Sequence, residues 1–311
     1  MNTTRLDSRR DFLKRAAILP AALAIARQYS QGAAFAATGV DLMPCVPFGK
    51  HFISRLICGA NPFNGGSHLS GFVNREMRAY YTPEQILKTL RRCQEVGINC
   101  WQSSGAHVEL YQRLVAEGGR MHYISLATKP DDIPQLVKAG CIGVAHHGEV
   151  TDHLFKSGQL DKVNELLKRI RDAGLMVGVS THMPAVVDAI ESKGWDLDFY
   201  MTCVYERHRT AEELKKLLGY VPIPVREVYL EEDPPRMFRV IRQTKRTCLA
   251  FKILAAGRLS DNPASVERAF RETYAGIKPT DAVIIGIYDR YSDQPAEDAA
   301  FARRFGAAAK N

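Results

Sequence analysis

Residues 142–149 read IGVAHHGE, a short apolar run that stops at two histidines, a glycine and a glutamate. In a chain of alternating strands and helices, such a run predicts a buried parallel strand with polar side chains at its carboxyl end. Three other segments end in the same way: SLATKP at 125–130, GVSTHMP at 178–184 and MTCVYERH at 201–208. Because the carboxyl ends of parallel strands meet on one face, these four segments predict one shared site.

Strand-like and helix-like patterns alternate from about residue 45 to the end of the chain. The eight strand-like segments are residues 55–60, 98–102, 122–128, 142–146, 176–180, 198–204, 247–254 and 282–287. An eightfold alternation with no break in composition predicts a single α/β domain, a (β/α)8 TIM barrel, over residues 45–308. No GxGxxG motif follows the first strand, which argues against a Rossmann domain.

The composition is that of a soluble globular protein. Of 311 residues, 46% are hydrophobic and 24% are charged, and the formal net charge is +8. The first 36 residues carry six Lys or Arg and two Asp, so their removal leaves a net charge of +4. No basic run is interleaved with aromatic residues, so we predict no nucleic-acid partner.

The first residues have the features of an export signal. Residues 8–14, SRRDFLK, resemble the twin-arginine motif, and the apolar run at 16–26 is too short to span a bilayer. Ala34-Phe35-Ala36 is a small-x-small cleavage sequence. We therefore expect a twin-arginine signal peptide at 1–36, an encounter with the twin-arginine translocase, and a periplasmic or otherwise extracytoplasmic mature protein without a stable membrane span.

The seven cysteines form no CxxC pair, and most lie inside apolar runs. We interpret them as buried free thiols, because a domain of this size can bury enough apolar surface without disulfides.

Period-two alternation at the strand ends predicts which side chains face the barrel axis. In residues 123–129, 142–147 and 177–182, bulky apolar side chains alternate with small or polar ones. We expect the bulky set to meet the helices and the small set to face the axis. Lys129, His147 and His182 then converge at the mouth with Gln102 beside Lys129, and His146 points toward a helix.

The order of the segments resembles the aldo/keto reductase superfamily. The matching segments are RLICGAN at 55–61, CQEVGIN at 93–99, ATK at 127–129, the strand at 142–147, GVSTH at 178–182, FKILAAGRL at 251–259 and IIG at 284–286. The resemblance runs from residue 55 to residue 305. It implies an oxidoreductase that acts on a small carbonyl or sugar-derived substrate with NADP as cofactor.

The catalytic tetrad of that family, Asp, Tyr, Lys and His, is incomplete in this chain. Lys129 and His147 match the Lys and the His, whereas Gln102 stands at the Asp position. The tyrosine is missing from residues 103–107, SSGAH. We predict a catalytic set of Lys129, His147, Gln102 and His182 on this resemblance and on the strand-end pattern.

The same resemblance implies a set of cofactor-binding residues. These are Ser180, Thr181, Tyr205, Lys252, Arg258 and Arg290. Tyr205 would stack on the nicotinamide, although core packing is the interpretation that we favour for it. If Lys252 faces the axis, it suits an oxidised sugar, a carboxylate or a cofactor phosphate.

The incomplete tetrad keeps two other classes of function open. One is a non-redox lyase, isomerase or hydrolase acting on a sugar derivative, either with a divalent metal on His147, His182 and Glu206 or with His147 as general acid/base. In this class Lys129 acts as base, donor or oriented charge. The other is a non-catalytic binding protein on a degenerate barrel.

Overall fold

The computed structural model describes residues 42–307, so the predicted signal peptide lies outside the described residues. Ten strands are present: β1 Cys45–Phe48, β2 His51–Ser54, β3 Leu56–Gly59, β4 Cys100–Ser104, β5 His122–Ala127, β6 Gly143–His146, β7 Met176–Thr181, β8 Phe199–Cys203, β9 Thr247–Phe251 and β10 Ala282–Gly286. Strands β3 to β10 pair in chain order, all parallel, and β10 pairs back onto β3. The predicted (β/α)8 barrel is confirmed.

Helices connect the barrel strands and cover the barrel. They are α1 Gly71–Tyr80, α2 Pro83–Glu95, α3 Val108–Ala116, α4 Ile133–Lys138, α5 Gly148–Lys156, α6 Asp161–Asp172, α7 Pro184–Lys193, α8 Ala211–Leu218, α9 Asp233–Gln243, α10 Pro263–Gly276 and α11 Gln294–Gly306. Local sequence explains several ends. Thr82 caps α2 by accepting a hydrogen bond from the Gln85 N–H, and Pro83 occupies the first turn.

The antiparallel hairpin of β1 and β2 closes the amino-terminal end of the barrel. Its side chains Val46, Phe48 and Ile53 are buried among the residues of the barrel interior. The Phe48 ring packs edge-on against Phe199 at the start of β8, with ring centroids 4.9 Å apart. This apolar plug leaves the opposite end, where the strands terminate, as the open mouth.

The barrel interior mixes bulky and very small side chains, and this decides which strand faces were predicted correctly. On β6 and β7 the small residues point inward: a Cβ on Gly178 would lie 2.3 Å from the Phe199 ring. On β5 the prediction is wrong, because Ile124 and Leu126 belong to the interior core. Bulk on one strand fills the space that glycine leaves on its neighbours, so residue size alone does not identify the inner face.

All seven cysteines are free and six of them are buried, as expected for thiols inside a core. Between residues 42 and 307 no helix combines the length and the apolar character that crossing a bilayer requires.

Candidate active site

A cavity of about 820 Å³ opens at the carboxyl ends of the barrel strands. Leu126, Met201, Phe251 and Ile284 supply an apolar floor. The polar residues on the side of the barrel axis are Gln102, His147, Ser180, His182 and Lys252. Five of the residues predicted from sequence therefore line one cavity: Gln102 lies within β4, Ser180 near the end of β7, and the other three just beyond the ends of their strands.

His182 and Asp152 form a buried pair at one side of the cavity. His182 Nδ1 lies 2.8 Å from Asp152 Oδ2, and the two side chains are 5% and 2% exposed. The His182 backbone N–H and the Thr181 hydroxyl also donate to Asp152. Burial raises the pKa of Asp152 to about 6 and lowers the pKa of His182 well below its usual value. Near neutral pH the pair is an imidazole held by a carboxylate.

Arg207 determines which nitrogen of His182 carries the proton. Its Nη1 lies 3.4 Å from His182 Nε2 and 2.8 Å from Glu149 Oε1, and its Nη2 donates to Glu227 Oε1 at 2.7 Å. A guanidinium can only donate, so Nε2 of His182 is the acceptor and Nδ1 carries the proton toward Asp152. His182 is thereby fixed in one tautomer.

A group of possible metal ligands lies beside this pair. One ligand atom from each of Glu149, His182 and His208 fits within 4.8 Å. His208 Nε2 is 3.4 Å from Glu149 Oε2 and 3.3 Å from Asp152 Oδ2. These residues can surround a divalent ion only if His182 releases its Nδ1 proton, because that nitrogen faces the group.

Lys252 follows β9 directly and has an unusual backbone conformation. Its φ is +61°, in the left-handed region that side chains other than glycine rarely adopt. Burial lowers the pKa of Lys252. The nearby carboxylates of Glu149 and Glu227 are engaged by Arg207, and no described carboxylate pairs with Lys252. Lys252 is therefore an uncompensated amine at the wall of the cavity.

His147 lines the same cavity, as expected from the strand alternation. Its Nδ1 is buried and finds no hydrogen-bond partner among the described residues. Burial lowers the pKa of His147, and the charge of Lys252 lowers it further. His146 faces outward, where its Nδ1 lies 2.8 Å from Thr151 Oγ1. Gln102 donates from Nε2 to the Ser103 carbonyl at 2.8 Å and presents the rest of its amide to the cavity.

The placement predicted for Lys129 is wrong. Lys129 is exposed and does not line the cavity. The inward face of β5 carries Ile124 and Leu126, so the chain leaves the strand with Lys129 directed away from the axis. The lysine that lines the cavity is Lys252, which directly follows the seventh barrel strand, β9, whereas Lys129 follows the third, β5.

Four of the six residues expected to bind a cofactor lie elsewhere. Thr181 faces outward to Asp152, and Tyr205 packs in the outer core against Tyr229, which agrees with the favoured interpretation of Tyr205. Arg258 stacks on the Tyr229 ring at 4.3 Å and donates to the His68 carbonyl. Arg290 is paired with Glu76 at the surface. Ser180 and Lys252 remain at the cavity wall.

The metal set His147, His182 and Glu206 does not assemble. Glu206 accepts from Arg236 at 2.7 Å and from Arg209 at 3.3 Å, in a separate ionic cluster around Asp233. The loop after β8 turns Glu206 away from the cavity and directs Arg207 and His208 toward it.

Sequence reasoning missed Asp152, Arg207 and His208. Asp152 is three residues after Glu149 on α5, which puts both carboxylates on one face of the helix above the strand end. That spacing is visible in the sequence, but α5 itself was not predicted. Arg207 and His208 lie in an irregular loop of four consecutive charged or titratable residues, where no periodic pattern indicates direction.

No protein-family model matches the chain, and no curated protein is similar to it in sequence. Among solved structures, the glycerol dehydrogenase of Gluconobacter oxydans, an aldo/keto reductase, aligns at a TM-score of 0.47 with 14% identity over 86% of this chain and 97% of its own.

Two synthases are similar to the same extent. A truncated 3-deoxy-D-arabino-heptulosonate 7-phosphate synthase of Thermotoga maritima has a TM-score of 0.49 and 11% identity, over 85% of this chain and 90% of its own. The N-acetylneuraminic acid synthetase of Leptospira borgpetersenii serovar Hardjo-bovis has a TM-score of 0.49 and 9% identity, over 84% and 88%. Likenesses this distant carry no information on the chemistry of the cavity. The chain has the fold of a TIM barrel.

Proposed function

We propose that this protein is a non-redox barrel enzyme that moves protons on a small carbonyl-bearing sugar derivative. The observation that carries the proposal is the composition of the mouth. His182, fixed in one tautomer on Asp152, lines one cavity together with His147 and with Lys252, which pairs with no described carboxylate. Lys129, the lysine of the aldo/keto reductase pattern, does not line that cavity.

The residues divide the chemistry between them. His147 and His182 are neutral near pH 7, because burial lowers the pKa of both, so in that state they can act as proton acceptors. Lys252 and the Gln102 amide meet the carbonyl end of the substrate. The apolar floor of Leu126, Met201 and Phe251 excludes water and strengthens these polar contacts.

A nicotinamide dinucleotide fits the lining poorly. Lys252 is the one Lys or Arg among the described lining residues, and two carboxylates, Asp261 and Glu297, line the remote part of the cavity. A cofactor carrying several phosphate charges would meet like charge there. An oxidoreductase with NADP is the second candidate. It is favoured by the extension of the cavity from the mouth to α11. A nicotinamide fluorescence titration tests it.

A divalent ion is the other candidate cofactor, on Glu149, His182 and His208. It would act there as a Lewis acid toward a carbonyl or hydroxyl oxygen. The tautomer of His182 disfavours it, because Arg207 and Asp152 together keep the proton on Nδ1.

We also propose that the enzyme works outside the cytoplasm after export by the twin-arginine translocase. This rests on residues 8–14 and on Ala34-Phe35-Ala36 alone. Fusion of residues 1–36 to a reporter that needs folding before export tests it: Arg9→Lys with Arg10→Lys should abolish export.

Deuterium exchange tests the proposed reaction. Purified protein is incubated in D2O, without nicotinamide, with dihydroxyacetone and with D-fructose, and ¹H NMR follows loss of the proton beside the carbonyl. We expect protein-dependent exchange with at least one of these hydroxyketones. No exchange, together with consumption of NADPH on the same compounds, would reject the proposal in favour of an oxidoreductase.

A further inference from the structure

We propose that Lys252 is a nucleophilic amine that forms an imine with the substrate carbonyl. This inference rests on the proposed function and specifies how the site activates its substrate. It assigns a covalent role to a side chain that the aldo/keto reductase resemblance connects only with cofactor binding.

The backbone at Lys252 has a left-handed conformation. A left-handed φ at a non-glycine residue is energetically unfavourable and persists where the surrounding structure imposes it. Ala255 and Ala256, with φ of +48° and +52°, continue this conformation in the short turn that follows. The strand therefore breaks immediately after Phe251, and Lys252 is presented to the cavity at the break.

The environment of the amine suits a nucleophile. Lys252 lines the cavity, and its Nζ lies 5.7 Å from the centre of the Phe251 ring, which forms part of the apolar floor. Arg207 occupies the carboxylates that a lysine at this place would otherwise pair with. Burial lowers the pKa of Lys252, which raises the fraction of free amine at neutral pH. A lysine with a structural role would instead have an anionic partner.

The proposed step balances without any further reagent. The free amine of Lys252 adds to the carbonyl carbon, the C–N bond forms as the C=O π bond breaks, and the oxygen takes a proton to give a carbinolamine. A second proton releases this oxygen as water, the nitrogen loses its extra proton, and its lone pair completes the C=N⁺ bond. One carbonyl, one amine and one proton thus become one iminium ion and one water.

A neighbouring histidine serves as the base in the step that follows imine formation. The iminium draws electrons from the adjacent carbon, so a base removes its C–H proton and leaves an enamine. His147, which lines the same cavity, is placed to take that proton. Reprotonation of the enamine from exchanged solvent and addition of water reverse the sequence and release Lys252.

Reductive trapping tests the imine. The full protein is incubated with dihydroxyacetone and sodium cyanoborohydride, which delivers hydride to an iminium carbon, and the labelled lysines are found by peptide mass spectrometry. We expect a single preferred adduct on Lys252, absent from Lys252→Met and from Lys252→Arg, which keeps the positive charge. Lys129→Met, at an exposed lysine after β5 on the opposite side of the barrel, should label as the wild type does.

The outcomes separate this inference from the proposed function. Labelling confined to surface lysines, or deuterium exchange that persists in a folded Lys252→Arg protein, would overturn the imine and leave the non-redox reaction standing. Absence of both labelling and exchange in the wild type would remove the proposed function as well. Circular dichroism of each variant establishes that a negative result does not come from misfolding.

Discussion

His182 Nδ1 and Asp152 Oδ2 lie 2.8 Å apart, both buried, at the wall of the cavity where barrel strand β7 ends. The carboxylate comes from α5, the helix that follows β6, so two successive β/α units meet in this contact. Arg207, from the next unit again, faces the opposite nitrogen of the ring. The contact matters because it fixes which nitrogen of His182 carries a proton.

Replacement of Asp152 by Asn tests whether this contact fixes the tautomer of His182. An amide can offer its N–H to Nδ1, which favours the wrong tautomer, so we expect the deuterium exchange rate to fall by about 10²- to 10³-fold with little change in apparent KM. Asp188→Asn, at an exposed aspartate on α7, is the control and should exchange at the wild-type rate. Equal rates in the two variants would show that the contact has no part in the reaction.

The pH profile tests the state of Lys252. Because burial lowers its pKa, the amine loses its proton below the usual range for lysine, and the exchange rate should rise as the pH rises through that lowered value. The groups that set this pKa are Cys203, Arg207, Glu227 and Glu149, and the charge of Lys252 in turn acts on His147 and His182. A rate that shows no rise at any pH below the usual range for lysine would contradict a free-amine mechanism.

Chelation tests the metal alternative. Since Nδ1 of His182 donates to Asp152, we expect exchange to survive dialysis against EDTA with less than about a twofold change. Elemental analysis of the dialysed protein gives the residual metal content. Activity that disappears on dialysis and returns with a stoichiometric divalent ion would instead assign Glu149, His182 and His208 as its ligands.

Asp298 predicts a pH dependence of stability that is independent of the reaction. Burial raises its pKa to about 8, with Glu297 adding to the shift, and Tyr274 and Cys93 are the other titratable groups near it. In the unfolded chain an aspartate has a pKa of about 3.9. Between these values the folded state binds more protons than the unfolded state, so the free energy of unfolding falls as the pH rises from about 4 to about 8.

Asp298→Asn removes this titration. The wild type should lose roughly 4 kcal/mol more than the variant between pH 5 and pH 9, which corresponds to several degrees in Tm. Thermal unfolding of both proteins across this range is the measurement. Parallel curves for the two proteins would mean that Asp298 is ionised in the folded state at neutral pH.

Much of the fold was predictable because each strand–helix unit repeats a local pattern. Residues such as Thr82 and Pro83 mark helix starts through hydrogen bonds within a few positions. The inward faces of β6 and β7 were predictable too, because small residues such as Gly178 suit a face that another side chain approaches closely. Here that side chain is the Phe199 ring. The inward face of β5 was not predictable from its own residues. Ile124 lies in the interior because Gly143 and Gly178, on the next two strands, leave room for it and for Phe199.

The candidate site was predictable to the extent that it lies on strand ends. Gln102, His147 and His182 were found because strand alternation continues into them. Asp152 and Arg207 were not, because their positions depend on the start of α5 and on an irregular loop, both of which are set by tertiary contacts. Lys129 was misassigned because a single error in the face of β5 moves every following side chain to the other side.

The most direct test of the account is the rate of deuterium incorporation into dihydroxyacetone by Lys252→Met compared with Lys129→Met. Each variant removes one strand-end lysine and leaves the other in place. If Lys252 forms the imine, all protein-dependent exchange should be lost in Lys252→Met, and Lys129→Met should exchange at the wild-type rate, without added nicotinamide. Exchange that survives in Lys252→Met and is lost in Lys129→Met would contradict it and restore the lysine of the aldo/keto reductase pattern.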